Sequence, residues 1–312
     1  MAVITGLYNT YDTIGIKEDL KDVIWDISPE DTLFLSGIAK TKANQVTHEW
    51  QTDQLDAVNA QNAAVEGADA GNSNTVQTMR LINFTQIFSK VATVSGSNEA
   101  ADAAGRASEM AYQLNKRSKE MKRDIETILL SDQQAALGTN SNARNLGGVF
   151  GTFKSYTTGG NNTQVMRHKT DATGNGGLTV ADLEKTVQDI YLDGADPNMF
   201  MYHASRASDV ANFALGTDKQ KFTGASETQF ANMVSVYIDP LGHNLQCVPS
   251  RWIGSDKALV TDLSQWEFAE LRPAFMQDLA VNGDSRSKQL LHEATLVHKN
   301  QGSSGGIINI GA

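Results

Sequence analysis

The sequence predicts an α+β fold, and three features predict it. Two strand-forming stretches flank a segment of small residues within the first hundred positions. A long stretch of helical period follows them. The second half then mixes short strand-forming runs with short helices, without the strict alternation that builds a parallel α/β sheet. Hydrophobic residues make up 40% of the 312-residue chain and charged residues 20%, the composition of a globular protein with a sizeable core.

Residues 1–43 read as an extended arm and a short helix, in which Leu20, Val23, Ile24 and Ile27 recur at helical spacing. Ser28-Pro29-Glu30-Asp31 start a further turn, with Leu33, Phe34 and Leu35 as an apolar anchor. In the first strand Val46, His48 and Trp50 alternate with polar residues, and from Thr75 to Val94 the chain is again rich in strand formers. Between them, Asp56 to Asn74 is built from Ala, Asn, Gly and Asp and holds no aromatic residue. Such a segment buries little and is expected to be an exposed tip. A long two-stranded ribbon is marginal alone, so it needs a partner surface, which need not lie in the same chain.

A helix is predicted from Asn98, a capping residue, to Leu137, with Met110, Leu114, Met121, Ile125 and Ile128 on one face. At 1.5 Å per residue, ~40 residues would reach ~60 Å, with Gly105 as a possible bend. Lys116, Arg117, Lys119, Lys122 and Arg123 are interleaved with Glu120, Asp124 and Glu126, the pattern of a solvated face. Residues 138–177 hold nine of the 26 glycines and six asparagines and read as a loop region anchored at Leu146–Phe150. Thr179 with Asp182 forms a capping-box signature for a helix to Leu192, whose apolar face is Leu183, Val187, Ile190 and Tyr191. A strand at Met199–Tyr202, a helix at Ser205–Phe213 and a hairpin of Val234–Ile238 with Leu245–Cys247 around Pro240-Leu241-Gly242 come next. Further strands are expected at Ala258–Thr261, Trp266–Leu271, Gln289–Val297 and Ile307–Ile310.

Several function classes are disfavoured by composition. The formal net charge of -10 and pI of about 5.1 argue against a strongly basic nucleic-acid binder, since phosphate affinity is built from Lys and Arg. Cys247 is alone, so it forms no intrachain disulfide and reads as small core filler in a reducing compartment. Charges from Asp12 to Asp22 interrupt any signal peptide, and no run approaches the ~18 apolar residues of a membrane helix. The glycosylation sequons at Asn83 and Asn161 are therefore chance matches. His292-Glu293 opens a zinc-protease-like motif, but its second histidine position is Leu296, and His298 sits six residues on in a predicted strand. Gly302-Ser303-Ser304-Gly305-Gly306 matches a hydrolase nucleophile elbow literally, yet no histidine follows, so a flexible C-terminal linker is expected. Phosphate-cradling glycine motifs are absent. The sequence thus predicts no catalytic, cofactor-binding or metal-ligating residue, and no cofactor.

The order of elements and a set of short stretches resemble the tailed-bacteriophage major capsid proteins of the Hong Kong 97-like fold. Within them the resemblance is strongest to the group of prolate-headed podophages. The stretches are Gly15-Ile16-Lys17-Glu18-Asp19-Leu20, Pro29-Glu30-Asp31-Thr32, Glu49-Trp50-Gln51-Thr52-Asp53-Gln54-Leu55, Glu66-Gly67, Lys122-Arg123-Asp124-Ile125-Glu126 and Asn282-Gly283-Asp284-Ser285. The resemblance implies an N-arm over 1–43, an extended β-hairpin E-loop over 44–95 that lies across a neighbouring subunit, and a P-domain spine helix over 96–139. It further implies an A-domain mainly over 140–250 and return strands of the A- and P-domains over 251–312. The implied function is a non-enzymatic shell subunit that assembles with itself into hexamers and pentamers, in an icosahedral or prolate head enclosing double-stranded DNA. Implied partners are a separate scaffolding protein, since no long helical segment precedes the arm, a portal, and decoration or cement proteins. The resemblance also implies that no membrane is involved, that assembly takes place in the host bacterial cytoplasm and that the protein ends in the virion. An encapsulin-like nanocompartment shell shares the fold, and native particles holding enzymes and not nucleic acid would mark it. A soluble carboxylate-dependent hydrolase is the remaining reading, marked by turnover in a small oligomer.

Some capsids of this fold crosslink a Lys at the E-loop tip to an Asn of a neighbour, a reaction that needs an amine able to reach out on the loop. From Ala43 to Ser89 this chain contains no lysine, and Lys42 and Lys90 lie at the ribbon's base. Boiled mature particles are therefore expected to run on a denaturing gel as a single band near the monomer mass of 33.7 kDa. A reductant-resistant ladder of covalent oligomers would overturn this.

Overall fold

The computed structural model describes residues 29–67, 69, 77–101, 107–155, 161–172, 177–213, 234–281 and 283–311. The expected helix over Lys17–Ile27 and the bend at Gly105 lie outside the described residues. In chain order the elements are α1 (Leu33–Gly37), β1 (Ala39–Lys42), β2 (Thr47–Thr52), β3 (Met79–Phe84), β4 (Gln86–Ser95), α2 (Gly96–Ala100), α3 (Glu109–Leu129), β5 (Thr152–Ser155), β6 (Asn161–Gln164) and β7 (His168–Asp171). The second half holds α4 (Val180–Leu192), β8 (Met199–His203), α5 (Ala207–Asn212), β9 (Val236–Ile238), β10 (Asn244–Ser250), β11 (Ala258–Thr261), β12 (Trp266–Asp278), β13 (Ser285–His298) and β14 (Gly305–Ile308). Helices and mixed sheets combine into an α+β architecture.

Three sheets share the work. The first runs β1-β12-β13-β4, with α3 packed on one face. Its long β12–β13 hairpin carries register shifts on either side of Arg272. The second is six-stranded, in the order β7-β14-β11-β8-β10-β9, and α4 seals it with Leu183, Val187 and Ile190 against Phe200, Tyr202, Val260 and Ile307. The third runs β2-β3-β5-β6. The main core lies where these layers meet, with Phe34, Ile125, Leu129, Phe153, Trp266 and Phe268 all buried in it. At the β9–β10 turn Gly242 has φ +96°, a left-handed conformation that other residues enter only at a cost.

The ribbon is shorter than the alternation suggests. β2 and β3 pair antiparallel from Thr47↔Phe84 to Thr52↔Met79. At Thr85 the strand-forming run divides, and β4 leaves to pair with β13 over ten residues. The root of the ribbon also has a partner in its own chain, because β3 pairs with β5 at Leu81↔Ser155 and Ile82↔Lys154.

The spine helix is also shorter than expected. Its N-cap is Ser108, whose hydroxyl accepts from Ala111 N, while Glu99 of α2 accepts from Ser108 and from Met110 N. It stops at Leu129 because the returning chain takes the last carbonyls: Val149 N donates to Leu129 O at 2.7 Å and Phe150 N to Ser131 O at 3.1 Å. Twenty-one residues give a rod of ~30 Å, about half the expected reach. The apolar phase holds, with Met110, Met121, Ile125 and Leu129 buried.

Two segments expected as loops are structured. Residues 138–177 contain β5, β6 and β7, paired at the edges of two sheets and pinned by buried Phe153, Val165 and Met166. The expected C-terminal linker is buried: β14 pairs antiparallel with β11 and parallel with β7. Glycine is needed there, since a Cβ on Gly305 would come within 2.5 Å of Thr186 Cγ2.

Replacing Ile125 with Asp is expected to cost about 3–5 kcal/mol, the cost of a large core truncation with burial of a charge. Replacing exposed Lys116 with Ala should stay within about 0.5 kcal/mol. Denaturant melts of the two variants check the pair, and equal losses would refute this packing of α3.

Candidate functional site

The ribbon is an exposed appendage on a root of buried polar groups. Every described residue from Asp53 to Gly67 is exposed, and the apolar side chains Leu55, Val58 and Val65 show 94%, 96% and 79% of their surface. At the root the pattern reverses. Asn83 is fully buried; its amide nitrogen donates to Leu296 O at 2.7 Å and its oxygen accepts from Gly147 N at 2.7 Å. Trp50 Nε1 donates to His298 O at 2.9 Å, and its ring meets Phe153 edge-on at 5.1 Å.

Glu293 anchors the residue where the ribbon departs. Its side chain is only 4% exposed. It accepts from Thr85 Oγ1 at 2.8 Å, from Arg144 Nη2 at 2.6 Å and from Arg272 Nε at 2.6 Å. A buried carboxylate is tolerated when charge and hydrogen bonds are both supplied, and here two guanidinium groups and a hydroxyl supply them. Glu126 does comparable work at the arm. It lies on α3 and accepts from Phe34 N at 2.8 Å and Leu35 N at 2.7 Å, capping α1 where Thr32 makes no side-chain cap. Burial pushes its carboxyl above the usual carboxylate range, against the two backbone donors.

His298 is the central polar group. It is fully buried and stacks on Trp266 with 3.8 Å between centroids and planes 4° apart. Nδ1 donates to Val165 O at 2.8 Å, so the neutral ring accepts at Nε2, which lies 3.1 Å from both Ser303 Oγ and Ser304 Oγ. Ser304 Oγ continues to Thr261 Oγ1 at 2.6 Å, and Thr261 accepts from Trp266 Nε1 at 2.7 Å. Burial pushes the pKa of His298 down to about 4.

The chemical motifs noted in the sequence fall inside this scaffold. His292 and His298 both lie on β13 but do not form a joint metal site: His298 is committed as above, and His292 Nε2 lies 3.2 Å from Glu270 Oε1 with its pKa lowered by burial. Among the described residues no cluster of His, Cys, Asp and Glu is arranged to hold a metal ion. A histidine does reach Ser303 and Ser304, from upstream of them. All three side chains are buried. Asn83 of the first sequon is buried. Cys247 is a buried free thiol whose pKa burial raises to about 11, consistent with core filler. Lys90 pairs with Asp124 at 2.6 Å and Lys42 ends β1, both on the body and not on the ribbon. Glu293, Arg144 and Arg272 carried no signal in the sequence, because their positions are separated by long stretches and only the fold gathers them.

The fold defines a class, that of shell proteins with the Hong Kong 97-like architecture. The structure is similar to the cyanophage A-1(L) capsid with a TM-score of 0.67 at 13% identity, covering 99% of this chain and 100% of that one. It is similar to a structure of Microbacterium phage Oxtober96 at 0.62 and 12%, covering 95% and 96%. It is also similar to the holo-SrpI encapsulin complex of Synechococcus elongatus at 0.59 and 11%, covering 95% and 93%. In sequence it is 30% identical over 336 aligned positions to the major capsid protein of Escherichia phage Phieco32, covering 96% of each. Residues 3–311 match the family described as SU10 major capsid protein, and the chain belongs to that family. It is a structural capsid protein of a phage virion that assembles with itself, and not an enzyme. The encapsulin likeness is one of fold alone.

The depressed pKa of His298 makes a signed prediction. The folded ring stays neutral down to about pH 4, whereas the unfolded ring protonates near 6.5, so subunit stability contributed by His298 is lost as pH falls through that window. The difference between wild type and His298→Gln in denaturant melts should therefore change by about 3 kcal/mol between pH 7 and 4. A pH-independent difference would show that the ring titrates alike in the folded and unfolded states, and would overturn the burial argument.

Proposed function

We propose that this chain builds the head shell of a tailed bacteriophage in the group of prolate-headed podophages. It does so as hexamers and pentamers around double-stranded DNA, in the host cytoplasm, with separate scaffolding, portal and decoration proteins. The observation that carries the reading is the ribbon: from Asp53 to Gly67 it extends apolar side chains with no cover from its own chain among the described residues. Apolar surface left in water on a defined appendage marks a contact with another molecule. The proposed division follows: N-arm over 1–43, E-loop over 44–95, spine helix within 96–139, A-domain mainly over 140–250, and return strands over 251–312. The net charge of -10 supports a container that does not adhere to its DNA. No residue is assigned a catalytic, cofactor-binding or metal-binding role.

Deleting Asp56 to Asn74 is expected to leave a soluble, cooperatively melting subunit that assembles poorly when expressed with its scaffolding partner, as seen by electron microscopy. Normal particles from the deletion, or an unfolded subunit where wild type is stable, would refute the role of the ribbon.

A further inference from the structure

We infer that His243 is a proton-operated latch, closed when its ring is an imidazolium, that ties the β9–β10 turn to the corner between α4 and β8. Both ring nitrogens face carboxylates. Nδ1 lies 3.1 Å from Asp239 Oδ2, in the turn itself, and Nε2 lies 3.2 Å from Asp196 Oδ1, in the corner. A carboxylate only accepts, and a neutral imidazole carries one N–H. Either neutral tautomer would satisfy one carboxylate and turn a lone pair towards the other. The doubly protonated ring satisfies both. The two arms of the latch are unequal. The Asp239 side chain is 1% exposed and also accepts from His243 N at 2.6 Å through Oδ1. A carboxylate buried that far needs a counter-charge and hydrogen bonds, and His243 supplies both. The Asp196 side chain is 81% exposed. When the ring loses a proton, the remaining N–H stays with buried Asp239 and the Asp196 arm opens.

Among the described residues the groups that face the ring are these two carboxylates and, from α4, the ring of Tyr191, edge-on at 5.4 Å. The hydrogen bond to Asp239 raises the His243 pKa above its ordinary 6.5, more than burial lowers it, and the charges of Asp239 and Asp196 add to the rise. The latch is thus fully closed below about pH 6.5 and opens as pH rises through the higher midpoint of the folded ring. What it holds is an exposed edge. β9 lies at one side of the six-stranded sheet, paired with β10, and its Val236 and Ile238 are 51% and 66% exposed. Between them Tyr237 turns to the other face and donates to Glu184 of α4 at 2.6 Å. Burial and that carboxylate raise the Tyr237 pKa, so this second tie holds across the range in which His243 titrates.

The test titrates the free full-length subunit, labelled at its histidine ring carbons, by NMR. The signal missing from His243→Gln identifies the ring; should that variant fail to fold, the contact with the Tyr191 ring identifies it instead. The expected midpoint lies above 6.5, and Asp196→Asn, at an exposed position, is expected to bring it down by about 0.5. A midpoint at or below 6.5, or one that Asp196→Asn leaves in place, overturns the latch. Hydrogen exchange then reads the tie itself. After correction for the intrinsic rate, amides in 194–198 and 234–243 of wild type are expected to exchange about threefold faster or more at about pH 8.5 than at about pH 6. The same amides in Asp196→Asn are expected to show no such step. A wild type without the step, or an Asp196→Asn variant that keeps it, would show that the ring titrates without holding the corner and would overturn the inference.

Discussion

The arrangement depends on one buried, neutral histidine. His298 sits at the end of the longest strand, where the three sheets come together, and every atom able to form a polar contact has one. Its ring lies flat on Trp266, against which Phe34 packs edge-on at 5.5 Å, so the end of the arm is registered to the same point. Its backbone carbonyl takes the indole N–H of Trp50, which fixes the ribbon root. Its two ring nitrogens bind Val165 O and the Ser303–Ser304 pair, which fixes the β6–β7 region and the C-terminal strand. In a dry interior such directional contacts specify one geometry where apolar packing alone would accept several. A charged ring would be costly there, because it would bury a charge with no carboxylate beside it among the described residues.

The polar groups of the root and the apolar groups of the tip divide the energetics. Asn83 and Glu293 at the root, and Glu126 at the arm, are satisfied within the chain, by backbone groups, by Thr85 and by two arginines. Leaving any of them half-paired would be expensive. Beyond Thr52 the balance changes sign. Among the described residues nothing covers Leu55, Val58 and Val65, so their apolar surface contributes little to the described fold.

Much of this was legible in the sequence, and the failures have physical causes. Helix α4 was readable to a residue because Thr179 and Asp182 announce its start, and Thr179 does accept from Asp182 N. The β9–β10 hairpin and β11 followed from turn chemistry and β-branched runs. The spine helix was overextended because nothing in Leu130–Leu137 forbids a helix locally; the carbonyls that end it are claimed by Val149 and Phe150, some twenty residues later. Composition misjudged the glycine-rich stretches for a related reason. Gly305 and Gly306 resemble linker residues in sequence, yet they are where β14 passes too close to Thr186, Met166 and Phe150 for a Cβ to fit. The exposed tip was legible from its lack of large side chains. The Glu293 cluster was not, since Arg144 and Glu293 are 149 positions apart.

The same partition places residues that resemble catalytic groups inside the fold. A histidine beside two serines, a carboxylate between two arginines and a lone cysteine are each components of known active sites. Here each is closed off: Ser304 and His298 have no exposed surface, Glu293 has almost none, and Cys247 is held as the thiol by burial. Nucleophiles and bases act on molecules that reach them, and these reach only one another. What the described residues leave open is instead apolar surface on the ribbon, at Leu55, Val58 and Val65. A surface of that kind has nothing to turn over and much to bury, which is the physical signature of a building unit.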